Sequence, residues 1–314
     1  MFNFVFFATE YDWYPYMYME ILEQKKILFF KAVEEIFNDN ELLIYRSANR
    51  EDYSFLYERA LKRISFDNLQ PVCFVHFSRF LSNMKNGLLI AEQHIFPDCK
   101  KVHYFTDSRH ITNDNVSFLL KNVDEIGVYD PNIANICKFR FWPNSFPNVT
   151  FQSINLEYDI CFIGYGLGRT RTITDIVLLC KKVGLKFAVY IMEPDSDVER
   201  IEEIHYISEL IPYREYLDIL SKSNCVLELE RKNDFHACSL RVLEAVVLKK
   251  KILTDNAFVF NMPCCSGRKG NIQVFKSVSE IDTNFLKARD VVDYEYAGEY
   301  SSVLFLERIA LCLK

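Results

Sequence analysis

Three glycines at alternate positions, followed by two arginines, are the residues whose types and spacing first suggest a chemistry. In the stretch DICFIGYGLGRTRT, Gly164, Gly166 and Gly168 end an apolar run, and Arg169 and Arg171 come directly after them. An apolar strand that runs into a glycine-rich turn and then a helix presents backbone N–H groups to phosphate. The stretch therefore predicts a site for a phosphorylated ligand.

Several ligands are compatible with this loop. A dinucleotide fingerprint needs a third glycine where Arg169 stands, although Glu193 at the end of the next strand would be available to a ribose. An S-adenosylmethionine loop usually has an acidic residue before its first glycine, and Ile163 occupies that place. A nucleotide-sugar diphosphate gives the arginines a role, because their forked guanidinium groups suit phosphate oxygens. A plain strand–turn–helix with solvated arginines is the remaining alternative.

A second group of polar residues follows about seventy positions later, in SLRVLEAVVLKKKILTDN. Arg241 and Glu244 are three apart at the start of a predicted helix, so they lie on neighbouring parts of one face, with Leu240 and Leu243 on the buried face. A carboxylate accepts two hydrogen bonds from a diol, which suits Glu244 to a ribose. Arg241 and Ser239 would then face the phosphates. An ordinary surface Arg–Glu pair is the alternative.

Alternating strands and helices must position these residues. Strands are predicted at 2–8, 41–46, 71–77, 101–107, 125–130, 159–164, 185–192, 225–230, 250–255 and 271–276. Helices are predicted at 18–37, 51–63, 113–121, 169–182, 213–222, 239–248 and 301–314, with a short one after Asp130. Continuous apolar strands between amphipathic helices indicate parallel sheets covered on both faces.

The pattern restarts after FWPNSFPNVTFQSINLEY, which is rich in proline, asparagine and serine and is our candidate linker. We expect an α/β protein with two Rossmann-like domains, at 1–147 and 155–295, and a C-terminal helix at 296–314 able to cross back to the first. Ligands of open α/β sheets bind at the carboxyl ends of strands. We therefore expect the site in a cleft between the two domains.

Bulk composition excludes several classes of protein. The chain has 314 residues, half of them apolar and a quarter charged, as in globular proteins. Its net charge of −6 argues against a general nucleic-acid binder. Ten cysteines without a C-x-x-C pair indicate reduced thiols and a cytoplasmic protein. The apolar N-terminus lacks the basic start of a signal peptide, so we interpret it as a buried strand.

The residues around the second group resemble a known family. SLRVLEAVVLKKKILTDN is similar to the donor-site helix and following strand of GT-B glycosyltransferases. More narrowly, the chain resembles bacterial capsule and lipopolysaccharide (O-antigen) glycosyltransferases, including galactofuranosyltransferase-like proteins. The further stretches that carry this resemblance are VDEIGVYDPNIANICKFRFWPN, DICFIGYGLGR and YREYLDILSKSNCVLELE.

The resemblance implies a GT-B fold and the transfer of a sugar from a UDP- or GDP-sugar to an oligosaccharide or lipid-linked glycan, without a metal or other cofactor. His236 stands where many retaining members carry a second glutamate, and it becomes a candidate for donor contact. The implied donor-binding residues are Gly164, Gly166, Gly168, Arg169, Arg171, Tyr213, His236, Ser239, Arg241 and Glu244. The three arginines would stabilise the leaving diphosphate.

An inverting reaction also requires a general base for the acceptor hydroxyl. We expect it in the first domain, where acidic residues and a histidine follow predicted strands. Asp12 is the first candidate and Asp107 the second, with Glu10 and His110 as further candidates. Each of them is also a residue type found in ordinary turns.

Two other classes of function remain open at this point. The glycine loop is compatible with an NAD(P)-dependent oxidoreductase, and the whole fold with a non-catalytic partner in glycan assembly. Peripheral contact with the inner face of the cytoplasmic membrane is a further hypothesis. It would use Lys249, Lys250 and Lys251, or Lys100 and Lys101, although solvated lysines are the simpler interpretation.

Overall fold

The chain forms two compact units. One consists of Met1–Pro147 together with Tyr300–Lys314, and the other of Asn148–Glu299. The structure is a computed structural model, which describes residues 2–8, 13–24, 27–30, 33–47, 54–66, 68–81, 87–106, 110–147, 155–230 and 239–314.

The first unit is built on a parallel sheet of six strands in the order β2-β1-β3-β4-β5-β6. Its strands are β1 (Asn3–Phe7), β2 (Ile27–Phe30), β3 (Val72–Phe77), β4 (Lys100–Phe105), β5 (Glu125–Val128) and β6 (Arg140–Phe141). Its helices up to the linker are α1 (Trp13–Met17), α2 (Met19–Glu23), α3 (Asp39–Ser47), α4 (Ser54–Leu61), α5 (Leu89–Ile95), α6 (Asn113–Asn122) and α7 (Pro131–Cys137). Short 3₁₀ helices lie at Val33–Ile36 and Ser78–Phe80.

The second unit repeats this arrangement, with a six-stranded parallel sheet in the order β12-β11-β10-β7-β8-β9. Its strands are β7 (Tyr158–Tyr165), β8 (Phe187–Met192), β9 (His205–Ile207), β10 (Ser223–Glu228), β11 (Lys251–Thr254) and β12 (Ile272–Val274). Its helices are α8 (Thr170–Lys182), α9 (Tyr213–Ser221), α10 (Leu240–Val247) and α11 (Thr283–Lys287), with 3₁₀ helices at Ala257–Asn261 and Val278–Glu280. The last helix of the chain, α12 (Ser302–Cys312), belongs to the first unit.

Strand order in the second sheet reverses between β7 and β10. From β7 the chain passes to β8 and β9 on one side, and then returns to place β10 on the other side of β7. The loops after β7 and β10 therefore leave the sheet on opposite faces. A crevice opens at such a point, and it is where open α/β sheets bind ligands.

Two segments were predicted in the wrong class of secondary structure. The segment ELLIYR was predicted as a strand but lies in α3, because Asn38 and Glu41 form a capping box: the Asn38 side chain accepts from the Glu41 N–H at 3.0 Å, and Glu41 accepts from the Asn38 N–H at 3.0 Å. The long helix predicted at 18–37 contains β2, which pairs with β1 in register from Phe4↔Ile27. The apolar run ILFF fits either structure locally, and its pairing with β1 decides between them.

Candidate functional site

Arg241 lies at the crevice between β7 and β10. Ser239 caps α10 by accepting from the Arg241 N–H at 3.2 Å, which places Arg241 in the first turn of that helix. The guanidinium donates from Nη1 to Glu228 Oε2 at 2.6 Å and from Nη2 to the carbonyl of Ile163 at 2.9 Å. It also lies over the ring of Phe162, with Cζ 5.0 Å from the centroid. Three different elements therefore hold one cation in place.

Glu228, which the sequence analysis did not single out, is the counter-ion of Arg241. It is the last residue of β10, and its side chain is 6 % exposed, against 14 % for that of Arg241. Burial opposes the charge on Arg241, but the nearby acidic groups, chiefly the carboxylate of Glu228, more than offset this and raise the pKa of the guanidinium. The available signal in the sequence was an acidic residue directly after the apolar run CVL.

Gly164 makes room for this arginine. A Cβ atom on Gly164 would lie 2.8 Å from Nη2 of Arg241, closer than side-chain carbons approach in real proteins. The first glycine of the loop and the arginine of α10 are thus parts of one arrangement, although they are far apart in the sequence.

Glu244 lies one turn further along α10 and is buried, being 2 % exposed. Its two carboxylate oxygens accept hydrogen bonds from the hydroxyls of Tyr213 and Tyr216, whose rings stack with centroids 5.4 Å apart. Burial raises the pKa of Glu244 to about 6, although the tyrosine hydroxyls and Arg241 act in the opposite direction. In this structure both oxygens expected to receive a ribose diol are engaged within the protein.

Arg169 was expected to face phosphate, but its guanidinium binds backbone carbonyls. Nη1 donates to Leu229 at 3.0 Å, Nε to Gly166 at 3.3 Å, and Nη2 to Tyr165. The residue is 8 % exposed. Arg169 therefore joins the loop after β7 to the end of β10. Arg171, in the first turn of α8, has an exposed side chain.

The candidates for the general base are only partly described. Glu10, Asp12 and Asp107 lie outside the described residues, as does the donor-site candidate His236. His110 is exposed beyond β4, where its carbonyl accepts from Asn115 Nδ2 at 2.7 Å. These roles therefore stay predictions.

The lysines proposed to meet a membrane have other partners. Lys250 is 9 % and Lys251 is 1 % exposed, and Lys251 Nζ donates to the carbonyl of Ala288 at 2.9 Å while the ammonium of Lys250 donates to that of Ser221. Lys249 alone of these three is exposed.

The described residues contain neither a metal-binding cluster nor a membrane-spanning helix. Within the ranges that the structure describes, no three His, Cys, Asp or Glu side chains are grouped to hold a metal ion. None of the helices in those ranges has both the length and the apolar character needed to cross a bilayer.

Comparison with known proteins gives structural matches. No protein-family model and no curated protein sequence matches the chain. An alpha-glucosyltransferase in complex with UDP and a 13-mer DNA containing an HMU base matches with a TM-score of 0.63 and 10 % identity, over 99 % of each chain. AviGT4, a glycosyltransferase involved in avilamycin A biosynthesis, matches with a TM-score of 0.61 and 12 % identity, over 100 % of this chain and 97 % of that chain.

A third match is to a longer protein. The structure of an S. aureus TarM mutant in complex with fondaparinux, alpha-GlcNAc-glycerol and UDP gives a TM-score of 0.54 and 10 % identity. The match covers 88 % of this chain but only 59 % of TarM. With two parallel Rossmann-like sheets and these neighbours, the fold is that of the GT-B glycosyltransferases, as the sequence predicted.

Proposed function

We propose that this protein is a glycosyltransferase that moves a sugar from a nucleotide diphosphate sugar to a hydroxyl of a glycan acceptor. The observation that carries the proposal is the half-buried arginine at the strand-order reversal. Glu228 fixes the Arg241 guanidinium, and the missing side chain of Gly164 leaves space for it. A cation held at this position meets the negative charge that develops on a departing diphosphate. Its geometry is set before the ligand arrives, so little reorganisation is needed.

The proposed ligand follows from the chemistry of these side chains and from the structural neighbours. A guanidinium keeps its charge at all physiological pH values and binds phosphate oxygens through forked donors. Two of the matched glycosyltransferase structures contain UDP. UDP is therefore the first nucleotide to test and GDP the second. We also propose that no metal is required, with Arg171 and Arg241 supplying the positive charge.

The acceptor is proposed from the sequence resemblance, which favours a precursor of a bacterial surface glycan. This acceptor is an oligosaccharide or a lipid-linked glycan at the cytoplasmic face of the membrane. The general base, if the reaction inverts, is proposed to be Asp12 or Asp107. Retention of sugar transfer by both Asp12→Asn and Asp107→Asn would remove these two candidates.

The alternative hypothesis of an NAD(P)-dependent oxidoreductase requires the N–H groups at the N-terminus of α8 to bind the pyrophosphate of the dinucleotide. In the structure the carboxylate of Asp195 already accepts from the N–H groups of Gly168 and Thr170 there. This observation favours the transferase. Titration with NADH, followed by nicotinamide fluorescence, checks the point, and saturable binding would restore the rival.

The direct experiment is thermal unfolding with UDP, GDP and NAD⁺, because a ligand that binds the native state must stabilise it. We expect UDP or GDP to raise Tm, and Arg171→Ala to weaken the effect without changing the Tm of the free protein. Lys182→Ala is the matched control, since it removes an exposed cation at the opposite end of the same helix.

A screen of nucleotide sugars, with the product anomer assigned by NMR, then identifies the donor and the stereochemistry. Absence of any shift in Tm with all nucleotide diphosphates would remove the main support for an enzyme. A non-catalytic partner in glycan assembly would then be the better hypothesis.

A further inference from the structure

The glycine-rich loop after β7 holds an anion that belongs to the protein itself. Asp195, in the turn after β8, accepts from the Gly168 N–H at 2.6 Å through Oδ1 and from the Thr170 N–H at 3.1 Å through Oδ2. The Asp195 N–H in turn donates to Thr170 Oγ1 at 2.9 Å. A carboxylate thus spans two N–H groups at the beginning of α8, the position at which helices bind phosphate.

The other N–H groups of the loop are also engaged within the protein. Gly166 donates to the carbonyl of Met192 at 2.8 Å, Leu167 to that of Glu193 at 3.4 Å, and Arg169 to that of Gly166 at 2.8 Å. Every backbone donor from Gly166 to Thr170 therefore has a protein acceptor. The loop is closed on itself and on the neighbouring turn.

Close packing between the glycine loop and the turn after β8 stabilises this conformation of the loop. A Cβ atom on Gly166 would lie 2.5 Å from Thr170 Oγ1 and 2.8 Å from both the Glu193 carbonyl oxygen and Pro194 Cα. Gly168 has a φ of 82°, in the left-handed region that glycine adopts without strain. The first of these two glycines lets the turn after β8 approach, and the second aims an N–H at Asp195.

The charge of Asp195 persists at neutral pH. Burial opposes ionisation, but the hydrogen bonds from Gly168 and Thr170 outweigh it and lower the pKa of the carboxyl group. A second anion at the same two N–H groups would meet a like charge at contact distance.

We propose that Asp195 is a positioning and specificity-determining residue: it occupies the helix-terminal N–H groups that a phosphate would use and directs the donor diphosphate to arginine side chains. The identity of this ligand rests on the function proposed above. The glycine loop then binds the guanidinium of Arg169 and leaves space for that of Arg241. The phosphates are bound by the side chains of Arg171 and Arg241. The same device excludes ligands whose pyrophosphate must sit on the N-terminus of α8.

The experiment compares Asp195→Ala with Asp197→Ala, which removes the same charge from an exposed residue of the same turn. Inorganic pyrophosphate is titrated by calorimetry into the wild type and both variants. We expect Asp195→Ala to bind pyrophosphate about tenfold more tightly than the wild type, because two N–H groups and a helix N-terminus become available. Asp197→Ala should change the affinity by less than about twofold. Asp195→Asn, which keeps an acceptor oxygen without the charge, replaces the alanine variant if the latter fails to fold.

Crystal structures with UDP separate this inference from the proposed function. UDP bound to the wild type, with Gly168 and Thr170 still donating to Asp195, supports both. Phosphate oxygens on those two N–H groups in the wild type would overturn the role of Asp195 and leave the transferase intact. If neither UDP nor GDP binds, the proposed function fails, and the pyrophosphate titration still tests the role of Asp195. Equal affinity in Asp195→Ala and the wild type would overturn the inference.

Discussion

At the scale of single residues, the site depends on what each charged group already contacts. Arg241 and Arg169 are of one residue type and both lie near Phe162, with Cζ 5.0 Å and 5.6 Å from its centroid. Arg169 binds three carbonyl groups, whereas Nε of Arg241 has no partner among the residues that the structure describes. Of these two arginines, Arg241 therefore has a buried guanidinium N–H without a protein acceptor in the described part of the chain.

The contact between Gly164 and Arg241 gives the first prediction. Gly164→Ala places a methyl group against Nη2, so the guanidinium must shift from the position in which it donates to the Ile163 carbonyl. We expect a loss of roughly 1–3 kcal/mol in unfolding free energy, as for a lost hydrogen bond to a charged group, and about tenfold weaker binding of UDP. Urea denaturation and calorimetry measure the two effects.

Gly270→Ala is the matched control for this change, since a Cβ atom there meets nothing within 4 Å. Equal UDP affinity in both variants and the wild type would show that the position of Arg241 does not matter for binding.

The buried carboxyl group of Glu244 gives a pH prediction. Its folded-state pKa of about 6 lies above the ordinary value of 4.5, so the folded protein holds this proton more tightly than the unfolded chain. The contribution of the neutral group to stability is fully present below about pH 4.5 and is lost as the pH rises through about 6, a change of roughly 2 kcal/mol. Glu244→Gln stays neutral and should lack this loss.

Chemical denaturation at pH 4.5, 5.5 and 7 tests the pH prediction. As the pH rises, the unfolding free energy of Glu244→Gln should increase relative to that of the wild type. Glu215→Gln, on an exposed residue of α9, should give no such trend. Parallel curves for Glu244→Gln and the wild type would contradict the shifted pKa.

At the scale of elements, strands buried on both faces were the easiest to predict. The strands β1, β3 and β10 consist entirely of buried residues, and the apolar runs FVFF, VCFV and CVL within them stand out in the sequence. The strand β9 and the helix α5 were missed, and α3 was assigned to the wrong class. In α3 the exposed Leu43 and Ile44 gave a strand-like apolar run that does not mark the core.

The capping box of α3 gives the third prediction. Asn38→Ala removes the side chain that accepts from the Glu41 N–H, and we expect a loss of about 1 kcal/mol in unfolding free energy. Asn40→Ala changes an exposed residue of the same first turn and should cost less than about 0.5 kcal/mol. Urea denaturation of both variants compares them. Similar losses would mean that the cap contributes little.

At the scale of the whole molecule, the chain enters the second unit and returns to finish the first. Phe305 on α12 is fully buried against aromatic residues from the first half of the chain. Its ring lies within 6.3 Å, centroid to centroid, of those of Phe6, Tyr18, Tyr104 and Trp142. The first unit therefore has a core that is completed only after the second has been synthesised.

This core gives the fourth prediction. Phe305→Ala should lower the unfolding free energy of the first unit by roughly 3–5 kcal/mol, because a large buried ring leaves a cavity. Hydrogen exchange should accelerate in the strands β1, β3 and β4, with the sheet of the second unit unchanged. Leu311→Ala, at a position of α12 that is 66 % exposed, is the control. Equal acceleration in both units would show that they unfold together.

The sequence by itself determined the α/β class, two parallel sheets, and the two segments that carry the site, because buried strands and glycine-rich turns leave local patterns. Tertiary structure alone decided which charges are available. Arg169 donates to a carbonyl that is distant in the sequence, and Asp195 accepts from a distant N–H group, so neither side chain is available to a ligand. Glu228, on another element, forms the ion pair with Arg241. Such pairings depend on which loops meet at the strand-order reversal, and no local pattern encodes that meeting.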